Sequence, residues 1–345
     1  MSTQTPPNAP RLAEIDALRG VAAMMVMLFH YTTRFRQLYP GDTEASVSLP
    51  WGHLGVNLFF IISGFVIFMT LDRTRRPLDF VVSRFSRLYP VYWVAVGLTF
   101  VVVTLVGLPG KEVSPLHAVL NLLMFHALGR IPHVDSVYWT LEVELLFYLG
   151  MFLLYRAGRL AQVHQAIWLM LGLRLAYYLA LELWGVDLPW ILFRVTILAY
   201  LPWFALGICA FQLARATGLR SSRLPLGSAA AAIATLCIVD TPFKGVLAFL
   251  LAAIVWLAAT GHLPLLRLRP LVWLGAISYP LYLVHENIGW ALQRVLLAHG
   301  VAYDLTVLAA VTLSLLLAHL LHRSIELPAM TAIRQWYAHR HTQPS

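Results

Sequence analysis

The sequence predicts an all-α protein, a polytopic transmembrane helix bundle of about ten spans with both termini cytoplasmic. Three observations carry that prediction. Hydrophobic residues make up 59% of the 345 and charged residues only 12%, with a mean hydropathy of +0.72, far from any soluble domain of ordinary composition. Ten apolar stretches, near 17–35, 52–71, 88–108, 137–155, 165–184, 190–213, 225–240, 243–260, 271–296 and 302–322, approach the roughly 20 residues a bilayer requires. With the N-terminus inside, sixteen of the 25 Lys and Arg fall in inner segments and five in outer ones, as the positive-inside rule expects. One helix more or fewer in mid-chain would scramble that split.

The net charge of +9 is read as an orientation signal and an attraction for anionic lipid; no nucleic-acid partner is needed to explain it. Residues 1–10, MSTQTPPNAP, read as a disordered leader. They carry neither a basic n-region nor a small-residue cleavage site, so the first span is expected to be retained. One membrane domain is expected over 11–330, followed by a cytoplasmic tail at 331–345. Cys209 and Cys237 lie in expected spans and read as packing residues, too few for a disulfide framework. Metal-ligand spacing is absent, so no metal is predicted. No internal repeat is visible, which weighs against an inverted-repeat transporter.

In the first span, LRGVAAMMVMLFHY, Arg19 and His30 are expensive residues to place in hydrocarbon. Eleven steps of a helix bring both to one face, about 16 Å apart along the axis. A snorkelling arginine and a histidine bonded to a neighbouring helix are the ordinary alternative. In the second span, Ser63 and Gly64 read as a close-packing contact, there being no Gly-x-Ser-x-Gly elbow. The following loop, DRTRRPLDFVVSRFSRLYPVYW, carries five arginines. Arg84 and Arg87, three apart, share a helical face, and guanidinium forks at such density suit phosphate. Setting topology and touching lipid headgroups is the competing reading.

The outer segment before the fourth span holds His126, His133 and Asp135 beside a short apolar stretch, LHAVLNLLMFHAL, that could re-enter the membrane and shape acceptor entry. The fourth span opens with VYWTLEVELLFYL, containing Trp139, Glu142 and Glu144. Residues two apart point to different sides of a helix, so at least one carboxylate is expected to face the bundle interior and require a cation or an imidazole. This helix begins on the side towards which His30 leans, and a carboxylate near that ring would hold its tautomer and support the imidazolium. Span 225–240 is short and Ala-rich. In the ninth span, Ser278, Tyr282 and His285 share one broad face, as an active-site wall or as interhelical hydrogen bonds.

The segments IDALRGVAAMMVMLFH, GHLGVNLFFIISGFVIF, SRFSRLYPVYW, YWTLEVELLFYL, GAISYPLYLVH and SIELP together resemble the membrane-bound acyltransferase-3 family, in order and over essentially the whole chain. The resemblance implies transfer of an acyl group, often acetyl, from cytosolic acyl-CoA to a hydroxyl of a sugar, envelope glycan, lipid or small metabolite. Under it, Arg19 and His30 correspond to the family's first-helix Arg and His, Arg84 and Arg87 to its paired arginines, and Trp139 and Glu144 to its Trp/Glu motif. Asn57 stands where an aspartate is common and Leu327 where a basic residue is common.

Acyl transfer to an alcohol requires a base, an oxyanion pocket and a held thioester. His30 is the best base, as a general base or acyl relay, with an intrinsic pKa near neutrality; Glu144 and Arg19 complete the expected catalytic set. Arg19, Arg84 and Arg87 would bind the phosphates of coenzyme A, and Trp139, Glu142, Ser278, Tyr282 and His285 would face the acceptor. Two rivals are a transporter or flippase using Arg174, Glu182, Arg194 and Arg294 as pathway residues, and a non-catalytic membrane scaffold or sensor.

Overall fold

The computed structural model describes residues 12–41 and 46–342, and every regular element among them is helical. The leader expected at 1–10 lies outside the described residues. Helix α1 (Ala13–Phe29) runs directly into a π-helical turn, His30–Arg34, and a short α2 (Phe35–Leu38). Helices α3 (Gly55–Arg73) and α4 (Pro77–Val106) flank the arginine-rich loop. Pro77 opens α4 where its missing N–H costs nothing, and Gly107, at φ +72°, closes it in the left-handed conformation that favours glycine.

The short α5 (Pro115–Asn121) precedes α6 (Trp139–Arg156) and α7 (Val163–Trp184). Next come α8 (Trp190–Val195), α9 (Leu201–Arg215), α10 (Leu219–Val239) and α11 (Pro242–Ala259). The chain ends with α12 (Arg269–Ala276), α13 (Ser278–Val284), α14 (Glu286–Ala298), α15 (Tyr303–Leu321) and α16 (Leu327–Thr342).

Among the described residues, seven helices are long and apolar enough to cross a membrane, within 50–73, 77–106, 136–156, 160–184, 219–239, 242–259 and 303–340. The protein is thus a multi-pass membrane protein. The other three expected spans, 17–35, 190–213 and 271–296, are helical but interrupted, and each interruption has an identifiable basis. At 271–296 the chain divides at Ile277 and again at His285; Pro280 has no N–H to give the carbonyl four residues back. Between α8 and α9, Ile197 takes φ +49°. The carbonyls of Leu198 and Ala199 that this turn leaves open accept from the buried guanidinium of Arg174, which also pairs with Asp240. Irregular backbone at membrane depth persists only where protein satisfies it in this way. In the first span, the π turn begins at His30, and such turns concentrate at functional sites.

Helix α1 is central, packed against α3, α12 and α13, while α3 lies tightly along α9. Glycines permit both close approaches. A Cβ on Gly207 of α9 would strike the Ile61 carbonyl oxygen of α3, and one on Gly64 would strike that of Phe204. Gly20 of α1 and Gly275 of α12 stand in the same relation to each other's backbones. Without water to drive association, helices in lipid rely on such contact between small residues. The α3–α9 seam is then filled by aromatics, including Phe204 stacked on Phe147 at 4.1 Å between ring centres.

Two faces result. The face where α1 begins carries Arg73, Arg75 and Arg76 and is called basic below. On the opposite face, residues 107–135 are stitched onto α4: Tyr92 Oη and Trp93 Nε1 donate to the carbonyls of Asn121 and Leu122. Asn121 in turn donates to the carbonyls of His117 and Pro132 and accepts from the Val134 N–H. Here His126 Nε2 lies 2.7 Å from His133 Nδ1. Burial lowers both imidazoles, His126 to about 4 and His133 to about 3, with Arg194 adding to the effect on each.

Two outcomes follow from this packing. Gly207→Val forces α3 and α9 apart and should destabilise the protein by at least the ~1–3 kcal/mol of an overpacked core; Gly150→Val, with open space around it, should leave the thermal unfolding midpoint in detergent unchanged. His126 and His133 are neutral when folded but regain an ordinary pKa of about 6.5 on unfolding, so the unfolded chain binds more protons as pH falls. Stability should therefore decline between about pH 6.5 and 4, and the double variant His126→Asn/His133→Asn should show a flatter midpoint-versus-pH curve.

Candidate active site

Arg19 from α1 and Arg84 and Arg87 from α4 line one cavity within the bundle, together with Ser63, Glu144 and Tyr148. The same three arginines also line a second cavity, with Arg73, His322 and Arg334, on the basic face. The two cavities adjoin, with the three arginines in the wall of both. Among the described residues, none of the three arginines makes an ion pair, and the buried Arg84 Nε has no hydrogen-bond partner. Glu144, the carboxylate in the cavity, is occupied otherwise: its Oε1 accepts from Ser63 Oγ at 2.6 Å and Tyr148 Oη at 2.5 Å. Three guanidiniums against the single carboxylate of Glu144 give this cavity a surplus of positive charge that suits an anionic ligand, phosphate being the best geometric match.

The cavity ends at Phe59, Thr140 and Tyr282. Tyr282 Oη accepts from Thr140 Oγ1 at 2.8 Å, and its ring centre is 5.6 Å from that of His285. Beyond Tyr282 lies a second group of polar residues around His30. His285 Nδ1 faces two main-chain carbonyls, those of Leu281 at 3.2 Å and Tyr282 at 3.0 Å. Carbonyls only accept, so Nδ1 carries the proton and the neutral ring offers Nε2 as an acceptor. His30 Nδ1 is 2.9 Å from that Nε2 and donates to it. Consequently His30 Nε2 is the bare nitrogen. It lies 3.7 Å from Glu286 Oε2.

The surroundings fix this arrangement. Trp290 Nε1 donates to the His30 carbonyl at 3.0 Å, and Tyr31 Oη donates to the His285 carbonyl at 2.5 Å. Gly289 is required because the Tyr31 ring occupies the place a Cβ would take. Glu286 accepts a close hydrogen bond from Ser136 Oγ and faces Lys111 Nζ at 3.5 Å. Asp135 accepts from the backbone N–H groups of Asn287 and Val137 and so ties α14 to the start of α6. The His30 side chain remains 13% exposed, against 2% for Glu286, which leaves the imidazole an open edge.

The structure thus gathers Arg19, Arg84, Arg87, Glu144, Ser278 and Tyr282 around one cavity, and His30 with His285 beyond its far end. It does not bring Glu142 or Glu144 to His30, as the sequence suggested. Buried Glu142 pairs instead with Arg194 at 2.6 Å, while Trp139 packs its ring against Phe60 and Tyr200. The carboxylate that meets His30 is Glu286, which sequence reasoning missed although it lies inside an expected span, where an ionisable residue is itself a signal. Lys111, in a loop, and Ser136, in the 3-10 turn that leads into α6, gave no such signal. The residues weighed as a transport pathway are dispersed: Arg174 pairs with Asp240, Arg194 with Glu142, and Glu182 is exposed on α7.

Comparison with known proteins identifies the family. Residues 12–323 match the family described as an acyltransferase domain. The exopolysaccharide production protein ExoZ of Rhizobium meliloti is 32% identical over 301 residues, covering 81% of this chain and 90% of that protein. The acyltransferase MdmB of Streptomyces mycarofaciens is 28% identical over 182 residues, covering 50% and 46% respectively. Protein 2 in the picA locus of Rhizobium radiobacter is 32% identical over 127 residues, covering 34% and 60%. No solved structure matches. By the extent of the family match and of the first of these similarities, the chain belongs to the acyltransferase-3 family and is a membrane acyltransferase.

Proposed function

We propose that this protein is an O-acyltransferase of the cell (inner) membrane that moves an acyl group, acetyl in the first instance, from cytosolic acyl-CoA to a hydroxyl of a cell-surface glycan, lipid or small metabolite. The observation that carries the proposal is the pair of adjoining cavities that share three guanidiniums without ion pairs among the described residues, the inner one ending at Tyr282 beside the His30–His285 pair. In this reading the basic face is cytoplasmic, ten helices cross the membrane, both termini are inside, and residues 11–330 form one catalytic unit with a tail at 331–345. The name of the ExoZ relative, with its exopolysaccharide role, supports a glycan as acceptor.

Arg19, Arg84 and Arg87 hold the phosphates of coenzyme A. The pantetheine arm then extends along a length comparable to the rise of about 16 Å from Arg19 to His30. His30 Nε2 removes the proton of the acceptor hydroxyl as its oxygen attacks the thioester carbonyl; collapse of the tetrahedral intermediate expels the coenzyme A thiolate, which takes that proton back. Glu286 offsets the charge of the transient imidazolium, and His285 holds the tautomer, the division of labour known from hydrolytic triads. The same bare nitrogen could carry the acyl group briefly as an acyl-histidine.

His30→Ala should abolish transfer to a surface glycan at normal protein abundance, and Glu286→Gln should lower kcat by about 10²-fold or more. Arg84→Gln and Arg87→Gln should each raise the KM for acetyl-CoA by about tenfold or more. Full activity in His30→Ala, measured by mass spectrometry of acetyl esters, removes the proposal. A reporter active only outside the cytosol should be active when fused after Gly185 and silent when fused after Ser345.

A further inference from the structure

Arg294 has no assigned task in the donor path or the His30 group. Of the three arginines expected within the later spans, Arg174 and Arg194 have carboxylate partners, whereas Arg294 makes no ion pair among the described residues and its buried Nη1 has no hydrogen-bond partner. It is not a loose surface cation. Its guanidinium carbon sits 5.1 Å from the ring centre of Tyr39, and that ring is pinned by a hydrogen bond from its hydroxyl to the Pro109 carbonyl. Among the described residues, the carboxylates near the Tyr39 ring are engaged elsewhere: Glu286 with Ser136 and Lys111, and Glu112 with the Lys111 backbone N–H.

Position makes the vacancy of its charge informative. Glu286, Trp290 and Arg294 are spaced by four on α14, so they form one stripe along the helix. At its start, Glu286 faces His30 Nε2. In the middle, the Trp290 ring lies 5.8 Å from the His30 ring and 6.2 Å from the Tyr39 ring, with Lys111 Nζ 4.9 Å from its centre. At its end, nearer the face opposite the donor path, stands the unpaired guanidinium. Eight residues of helix span about 12 Å, the length of one or two sugar rings.

Resting on the acyl-transfer reading above, we infer that this stripe marks the acceptor site, and that it takes a sugar-sized hydroxyl compound bearing an oxyanion, with the oxyanion on Arg294 and the reacting hydroxyl at His30 Nε2, the fully buried Trp290 setting the distance between them. Carboxylate and phosphate share the required chemistry, since each accepts two parallel hydrogen bonds from a guanidinium. A neutral sugar would leave that buried donor unpaired, which disfavours it.

The test is calorimetric titration of the full chain in lipid nanodiscs with D-glucuronate, glucose 6-phosphate, D-glucose and inorganic phosphate, alongside acetyl-CoA. At least one of the two anionic sugars should bind about tenfold or more tightly than glucose; which one does so separates a carboxylate from a phosphate acceptor. Arg294→Gln should abolish that preference while acetyl-CoA binding stays unchanged, and Arg294→Lys should restore part of it. Should the glutamine variant fail to fold, Tyr39→Leu, which removes the ring under the guanidinium, should weaken the same preference. Equal binding of glucose and both anionic sugars, binding of none of them, or inorganic phosphate binding as tightly as the anionic sugars overturns the inference. Loss of acetyl-CoA affinity for the parent chain, with the sugar preference intact, would instead remove the donor reading and leave this site standing.

Discussion

An ionisable group inside a membrane protein must be met by a partner, and the pairing of these groups sorts the residues of this chain by task. Arg174 is consumed by Asp240 and two open carbonyls, Arg194 by Glu142, and Glu144 by Ser63 and Tyr148. These contacts hold broken or crowded backbone in place and have no capacity left for a ligand. Arg19, Arg84, Arg87 and Arg294 are different, because none of them makes an ion pair among the described residues and the first three share a cavity with only one carboxylate, Glu144. Desolvating a guanidinium without an anion is costly, and a fold tolerates it where an anionic ligand supplies the missing partner.

Irregularity in the helices serves the same end. A continuous helix through 271–296 would bond the carbonyls of Leu281 and Tyr282 within the helix alone. The interruption at His285 instead lets both share the His285 Nδ1 proton, and that sharing fixes the tautomer on which the bare nitrogen of His30 depends. The π turn at His30 and the glycine opposite Tyr31 act together. The wider turn lets the Tyr31 hydroxyl reach the His285 carbonyl and Ser314, and Gly289 makes room for the ring. Backbone departures from the ideal helix are therefore concentrated where the chemistry needs hydrogen bonds pointed in set directions.

Much of this was legible in the sequence, and the parts that were not share a physical reason. Apolar length and loop charge sufficed for an all-helical membrane bundle, and helical periodicity put Arg84 beside Arg87. Position within an apolar run was enough to single out Arg19 and His30. Partnership was not legible. Glu142 and Glu144 open a helix expected to start on the side towards which His30 leans, and nothing in one helix's periodicity could reveal that a carboxylate 142 residues after Glu144 makes the contact instead. The same holds for Lys111, which arrives from a loop. Interruptions were hidden for a related reason: composition registers 190–213 and 271–296 as apolar, whereas the turns depend on Arg174 and Pro280 acting through neighbours distant in sequence or a full turn back.

In the proposed acyl-transfer reading, with His30 as the base, the difference between the two sides of that residue also bears on how the donor is kept from waste. On the basic side the cavity is lined by fixed cations and reaches only as far as Tyr282, whose hydroxyl is bonded to Thr140. On the other side the imidazole faces Glu286, Trp290 and Lys111 in a crowded aromatic setting. A water molecule entering there would touch only the groups next to His30, whereas a larger hydroxyl compound that also reached Arg294 would be oriented along the length of α14. Discrimination between alcohol and water then comes from orientation more than from the intrinsic strength of the base, because proximity and alignment can contribute a larger share of the barrier than proton transfer does. That division explains why the base can be an unremarkable histidine while its surroundings are so tightly constrained.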